Sequence, residues 1–265
     1  MLKYLALGPG GTGYFALLGV LQYLRDNDKL TNIKEISGAS AGSIAALLYI
    51  LFKGDTKEMF NESMASNISQ TSKPKLSSFI RDYGFIPTRE VTKELEKLIK
   101  INFEDCSNLT FAELFKHNPV KLHVAAFSLS ESKTRYFSVD TDPAMLVTDA
   151  ICASIAVPFL FASASIQDSI YIDGGTEEAV PMLPFLHKKK EEVMGVKLKF
   201  KSAKGGKITD IRGFAGRLVD SMLKSRLNYD YMTILTVDME EQDPMDFKLS
   251  DHAKIELFIK GYLIS

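Results

Sequence analysis

The first fifty residues alternate strand and helix, and that order restricts the sheet this chain can build. Lys3 to Leu7 is a short apolar run ended by Gly8, the pattern of a buried parallel strand. Thr12 to Arg25 places Phe15, Leu18, Leu21 and Leu24 on one helical face, and Asp26-Asn27-Asp28 closes it. Ile33 to Ile36 reads as a second strand, Ser37 to Gly42 as a turn, and Ser43 to Phe52 as an apolar helix. Strand–helix–strand–helix predicts an α/β domain, a mainly parallel central sheet covered by helices. The 265 residues are enough for one such domain with a full core, and no internal repeat divides them.

Residues 55 to 118 read as a mostly helical insertion, interrupted by the polar stretch Ser66 to Ser78. Within it, Val91, Leu95 and Leu98 share one face of a helix over Thr88 to Ile101. Strand character resumes at His123 to Phe127 and Arg135 to Val139, followed by a helix over Pro143 to Ala153. Ile170 to Ile172 is a short strand ending at Asp173-Gly174-Gly175. A strand near Glu192 to Leu198, a helix from Ile208 to about Arg226, a strand over Met232 to Val237 and a helix from about Phe247 complete the pattern. The helix carries an apolar stripe of Ile211, Phe214, Leu218 and Leu223 amid basic residues. Such a stripe packs on a sheet or docks on anionic lipid, and the first use is the commoner. Lys188-Lys189-Lys190 and Lys197 to Lys207 read as solvated loops.

Composition removes several classes of function. With 32 basic and 33 acidic side chains the net charge is −1, so no electrostatic case for a nucleic-acid partner exists. Two cysteines, Cys106 and Cys152, make no disulfide framework and suggest a reducing, intracellular compartment. The four histidines, His117, His123, His187 and His252, lack metal-site spacing, so no metal and no cofactor is expected. The N-terminal apolar stretch breaks too soon at Gly8 for a signal peptide. The longest apolar run, Ile44 to Phe52, is too short to span a bilayer, which takes about 20 residues. A protein that is soluble or peripheral to membranes is expected.

Three segments carry candidate chemistry. Gly38-Ala39-Ser40-Ala41-Gly42 fits G-x-S-x-G between a strand and a helix, the context of a nucleophile elbow. Such a turn presents Ser40 at a helix N-terminus, where the dipole favours developing negative charge; the plainer reading is a helix cap. Gly8-Pro9-Gly10-Gly11-Thr12-Gly13 suits an oxyanion loop, a G-x-G-x-x-G dinucleotide turn or a simple tight turn; Glu35 is near the distance the dinucleotide turn needs, but its strand runs straight into the serine turn. A P-loop is excluded because no Lys-Ser or Lys-Thr follows. Asp173-Gly174-Gly175 closes its strand where an α/β sheet opens its crevice, or is an ordinary Asp-Gly turn.

Together these segments resemble the patatin-like phospholipase family in kind and in order. Ala153-Ser154-Ile155-Ala156-Val157-Pro158-Phe159-Leu160-Phe161 is similar to the family's A-S-x-A-x-P-x-x-F, and Gly19-Val20-Leu21 to its first-helix G-V-L. The motif-bearing part spans residues 2 to 185; the tail beyond carries none. The resemblance implies one three-layer α/β/α domain and a Ser–Asp dyad: Ser40 as nucleophile, Asp173 as general base. Oxyanion N–H groups would come from Gly10, Gly11, Thr12 and Ala41, with Gly38, Gly42, Gly174 and Gly175 supporting the turns. It implies a lipid acyl hydrolase of the phospholipase A type working through an acyl-enzyme on phospholipid or another acyl-ester lipid, in peripheral contact with membranes. An unidentified protein activator stays open.

Two departures stand out. Gly13 occupies the place where the family's glycine loop usually carries Arg or Lys, and Tyr14 replaces the next glycine. Glu177-Glu178-Ala179-Val180 lead to Pro181 where polar amides are usual. Three rival readings follow: a weakly active or silent relative that binds lipid or serves as a structural component, a Ser–His–Asp hydrolase drawing on His187 or His252, and a nucleotide-binding protein. The insertion 55 to 118, next to the serine turn, is the candidate lid or lipid-contact surface.

Overall fold

The structure is a computed structural model that describes residues 1–66, 74–104, 108–201, 217–218, 227, 229 and 232–264. In chain order the strands are β1 (Tyr4–Leu7), β2 (Glu35–Ala39), β3 (Gly84–Ile86), β4 (Lys121–Ser128), β5 (Lys133–Phe137), β6 (Phe159–Phe161), β7 (Ala164–Ile166), β8 (Ser169–Asp173), β9 (Val193–Lys199) and β10 (Thr233–Asp238). The α-helices are α1 (Tyr14–Asp26), α2 (Ala41–Leu51), α3 (Thr56–Ala65), α4 (Leu76–Asp82), α5 (Arg89–Asn102), α6 (Phe111–His117), α7 (Val147–Ser154) and α8 (Asp251–Tyr262).

The main sheet runs β10-β9-β1-β2-β4-β8-β7, with β5 also on β4. The five strands from β10 to β4 are parallel; β5, β7 and β8 join antiparallel. From β1 the chain first builds outward through β2 and β4, then returns to add β9 and β10 on the other side of β1. The strand order therefore reverses at β1, and an α/β sheet opens its ligand crevice at the carboxyl ends of strands at such a point.

The registers place three turns there. Leu7, the last residue of β1, lies beside Gly38 of β2, so the glycine loop and the serine turn leave the sheet side by side. On β4, Val124 pairs with Gly38 on one edge and Phe137 on the other, while Ala126 pairs with Asp173 and Arg135. Strands β2 and β8 thus share one edge of β4 and meet end to end. Ala39 pairs with Ala125 and Asp173 with the next residue, Ala126.

Packing follows the strand alternation. Leu5 and Leu7 enter the large core under α1, α2 and α7; Ala6, with Tyr4 at its margin, faces a smaller core with Val180, Met182, Phe185 and Val193. Every residue of α2 is buried, which accounts for a helix with no polar face. Helix α8 lies across α1, where Gly19 and Gly261 let the two backbones touch.

Several expectations change. The strand before Ser40 runs on to Ala39 instead of turning at Ser37, because β2 stays in register with β1 and β4 to that point. The insertion is not wholly helical: β3 pairs with β6 in a separate two-stranded sheet. Lys197 and Lys199 belong to β9, paired on β10, and not to a loop. Lys188 is not simply solvated: its ammonium lies 3.1 Å from Glu35 and over the Tyr4 ring. The C-terminal helix begins at Asp251, capped by Ser250, and not at Phe247. The helix expected over 208–226 lies outside the described residues except Arg217 and Leu218, as does Cys106.

Candidate active site

Ser40 is the hinge between β2 and α2, with φ 53° and ψ −125°, a conformation that costs a non-glycine residue strain. Small residues make the turn fit. A Cβ on Gly42 would strike the Leu7 carbonyl, and one on Gly38 would strike the backbone at Gly42 and Ser43. The turn is held by Ser43, whose N–H and hydroxyl both donate to the Ser40 carbonyl, at 2.9 and 2.6 Å. Ser40 is 6% exposed, at the start of α2.

Asp173 ends β8, also 6% exposed. The Gly175 N–H donates to its Oδ1 at 2.8 Å, and the Thr176 hydroxyl donates to its carbonyl at 2.7 Å. Gly174 has no room for a side chain against the Ala125 carbonyl, so the chain can turn across β4 immediately after the carboxylate.

The end of α7 and the residues just after it tie the two residues together. Ser154 Oγ accepts the Ser40 N–H at 2.9 Å, the Ser154 carbonyl accepts the Gly174 N–H at 3.0 Å, and the Ala156 carbonyl accepts the Asp173 N–H at 3.0 Å. Ser154 is fully buried. The sequence singled out this stretch by its resemblance alone and gave Ser154 no task.

Ser40 and Asp173 line one cavity of about 150 Å³ with Gly10, Gly11, Thr12 and Ala41. Its walls are mainly apolar, from Ile155, Val157 and Phe161 on one side to Leu198, Phe200 and Phe247. The last three, with Pro244 and Met245, come from the tail that carries no motif; nothing in their residue types marked them beforehand. Thr12 corrects an expectation: it lines the cavity, but its N–H donates to the Pro244 carbonyl at 3.0 Å and its hydroxyl to that of Asp243. It is therefore committed to holding the tail and is not an oxyanion donor in this arrangement. The Gly13 N–H closes on the Gly10 carbonyl; Gly10 and Gly11 remain the loop's candidates.

Two rival readings lose their geometry. The described residues lining the cavity include no histidine; His187 lies elsewhere on the surface, and His252 is exposed beside Glu256. Glu35 begins β2, at the opposite end of the strand from the crevice. It bonds His123 at 2.9 Å and Lys188 at 3.1 Å, and the His123 hydrogen bond, helped by Lys188, holds its carboxyl down at about 2. It is a structural ion-pair partner, so the dinucleotide reading has no ribose ligand. Glu177 and Glu178, the unusual acids after the glycine pair, also serve the fold. Glu177 accepts the Thr134 N–H and hydroxyl. Glu178, raised by burial, accepts from Tyr136 and from the Met182 and Leu183 N–H groups.

A mainly parallel α/β sheet carries a strained serine elbow and a buried aspartate on one cavity, and comparison with known proteins gives the family. The sequence model of the patatin-like phospholipase family matches residues 5–186, and the chain belongs to that family. It is 32% identical over 188 residues to an uncharacterized protein, R571, of Acanthamoeba polyphaga mimivirus, covering 69% of this chain and 61% of that one. It is 28% identical over 184 residues to a probable lipid hydrolase, 463L, of Invertebrate iridescent virus 6, covering 68% and 62%. The matched part thus spans about three fifths of the length of these relatives. The crystal structure of VipD from Legionella pneumophila has a similar fold, with a TM-score of 0.60, 17% identity, and coverage of 98% of this chain and 65% of that one. Among the described residues no helix is long and apolar enough to cross a membrane.

Proposed function

We propose that this protein hydrolyses fatty-acyl esters of lipids, in the manner of a phospholipase A, through a Ser40–Asp173 dyad. The observation that carries the reading is the meeting of β2 and β8 on β4, which brings a strained serine and a buried carboxylate onto one apolar cavity. As Ser40 Oγ attacks the ester carbonyl carbon, its proton passes to Asp173. The carbonyl oxygen gains the negative charge, next to the N–H groups of Gly10, Gly11 and Ala41; Ala41 opens α2, whose dipole favours that charge. Collapse breaks the C–O bond, Asp173 returns the proton to the departing alcohol, and the acyl-enzyme remains. Water then attacks, gives its proton to Asp173, and Ser40 regains one as the fatty acid leaves.

One observation favours the second reading, a weakly active lipid-binding relative. The described cavity lining contains no Lys or Arg, consistent with Gly13 in the place of the usual basic residue. The test is release of free fatty acid from phospholipid and triacylglycerol by wild type, Ser40→Ala and Asp173→Asn. The dyad predicts loss of activity by about 10³-fold or more in both variants. Equal rates in all three, or none in any, would remove the hydrolase reading and leave the binding one.

A further inference from the structure

Helix α4 in the insertion is apolar on both sides. Its inner residue Phe79 stacks on Phe85 at 4.4 Å and reaches Phe159. On the outside, Leu76, Ile80 and Tyr83 are 66%, 73% and 61% exposed. Leu76 and Ile80, four residues apart, share one face of α4, and Tyr83 follows directly after its last residue. A single exposed hydrophobe is ordinary, but three so close together in the chain mark a contact surface. Tyr83 adds a second cost, since it holds a left-handed conformation with φ 60°. Lys75 is exposed at one end of this face, and the Arg81 side chain, paired with Asp82, is 78% exposed near the other.

This face is continuous with the cavity wall. Directly after Tyr83, β3 pairs with β6, Gly84 against Phe159 and Ile86 against Phe161. Ser163 donates from both its N–H and its hydroxyl to the Asp82 carbonyl. Phe161 and Pro158 line the cavity. At about 150 Å³ the cavity is smaller than the roughly 300–1,000 Å³ of pockets that enclose a whole drug-sized ligand. It suits the ester end of an acyl chain, with the rest of a two-chain lipid next to this wall.

We propose that the outer face of α4 docks the protein on a phospholipid membrane, with Leu76, Ile80 and Tyr83 in the interfacial layer and Lys75 and Arg81 at the phosphates. The choice of a membrane over a protein partner rests on the lipid hydrolase reading, yet the two fail separately under test. The chain has no tryptophan, so Ile80→Trp is a single reporter. Its emission should shift to the blue on adding phosphatidylcholine–phosphatidylserine vesicles. Leu76→Glu/Ile80→Glu should lower vesicle flotation by about tenfold or more, and vesicle-lipid hydrolysis in parallel, while leaving hydrolysis of a dissolved short-chain ester unchanged. Both side chains point outward, and a melting curve checks that the variant is folded.

The proposal is overturned if the double variant floats as wild type does, or if neither floats. It is equally overturned if the reporter shifts with protein concentration alone, which would make the face a contact between two copies of the chain. Flotation lost only in the double variant, from a wild type that hydrolyses no ester, would sink the hydrolase reading and leave the docking face standing.

Discussion

Replacing Ser154 by alanine tests whether the elbow is held from outside itself. The substitution removes one oxygen from a fully buried position and leaves the Ser40 N–H, now accepted at 2.9 Å, without that partner. A buried donor left unsatisfied costs about 1–3 kcal/mol. Ser40 meanwhile holds a conformation that itself costs on the order of 1–3 kcal/mol, and Ser154 is one of the contacts opposing its relaxation. The expected loss of stability is about 1–3 kcal/mol. For a chain of this size that lowers the melting temperature by roughly 2–4 °C per kcal/mol. Activity should fall further than folding does, because a nucleophile displaced by about 1 Å can lose 10²-fold in rate. The assay is steady-state hydrolysis of a dissolved ester well below both melting transitions. A kcat reduced by about 10–100-fold with KM nearly unchanged is the expected result. An unchanged kcat in a variant with the expected drop in melting temperature would refute the link between Ser154 and the placing of Ser40.

Gly42→Ala should destabilise by about 1–3 kcal/mol or more in denaturant titration, because its Cβ meets the Leu7 carbonyl, which cannot move without disturbing β1. Glu35→Gln should lower stability at neutral pH by on the order of 1 kcal/mol once solvent screening is allowed for. Since the Glu35 carboxyl is held at about 2 against an ordinary 4.5, its contribution is complete above about pH 4.5 and lost as pH falls through about 2. The difference between wild type and Glu35→Gln should therefore shrink over that window; a constant difference would exclude the ion pair as its source. Burial pushes the Cys152 thiol up to about 11, so it should react with a thiol reagent far more slowly in the native Cys106→Ser variant than after unfolding, and equal rates would contradict its placement.

What the sequence disclosed was whatever is written in local pattern. The βαβα opening, the apolar α2 and the order of the glycine loop, Ser40 and Asp173 need only near neighbours to be recognised, and the family match agrees with the order. The strand end at Ala39 was missed because small residues look like a turn; pairing with β1 and β4 extends the strand through them. β3 is three residues long, and only its partner β6, more than seventy residues away, makes it a strand. The tasks of Ser154, Thr12 and the Pro244–Phe247 stretch depend on contacts between distant segments, which no local periodicity encodes. Glu35 suits a ribose ligand only by its distance along the chain, and its place at the start of β2 sets it at the far end of the strand from the crevice.

The end-to-end meeting of β2 and β8 makes β4 a ruler for the site. Neighbouring positions along a strand are about 3.3 Å apart, and a register slip of one residue also turns side chains to the other face of the sheet. A change of register would therefore separate Ser40 from Asp173 by a whole step and disassemble the pair. The surrounding walls have no such constraint: they come from α5, the stretch from Ile155 to Phe161 and the distant tail. A lineage can thus remodel the entrance to the cavity by small changes while the Ser40–Asp173 pair stays fixed.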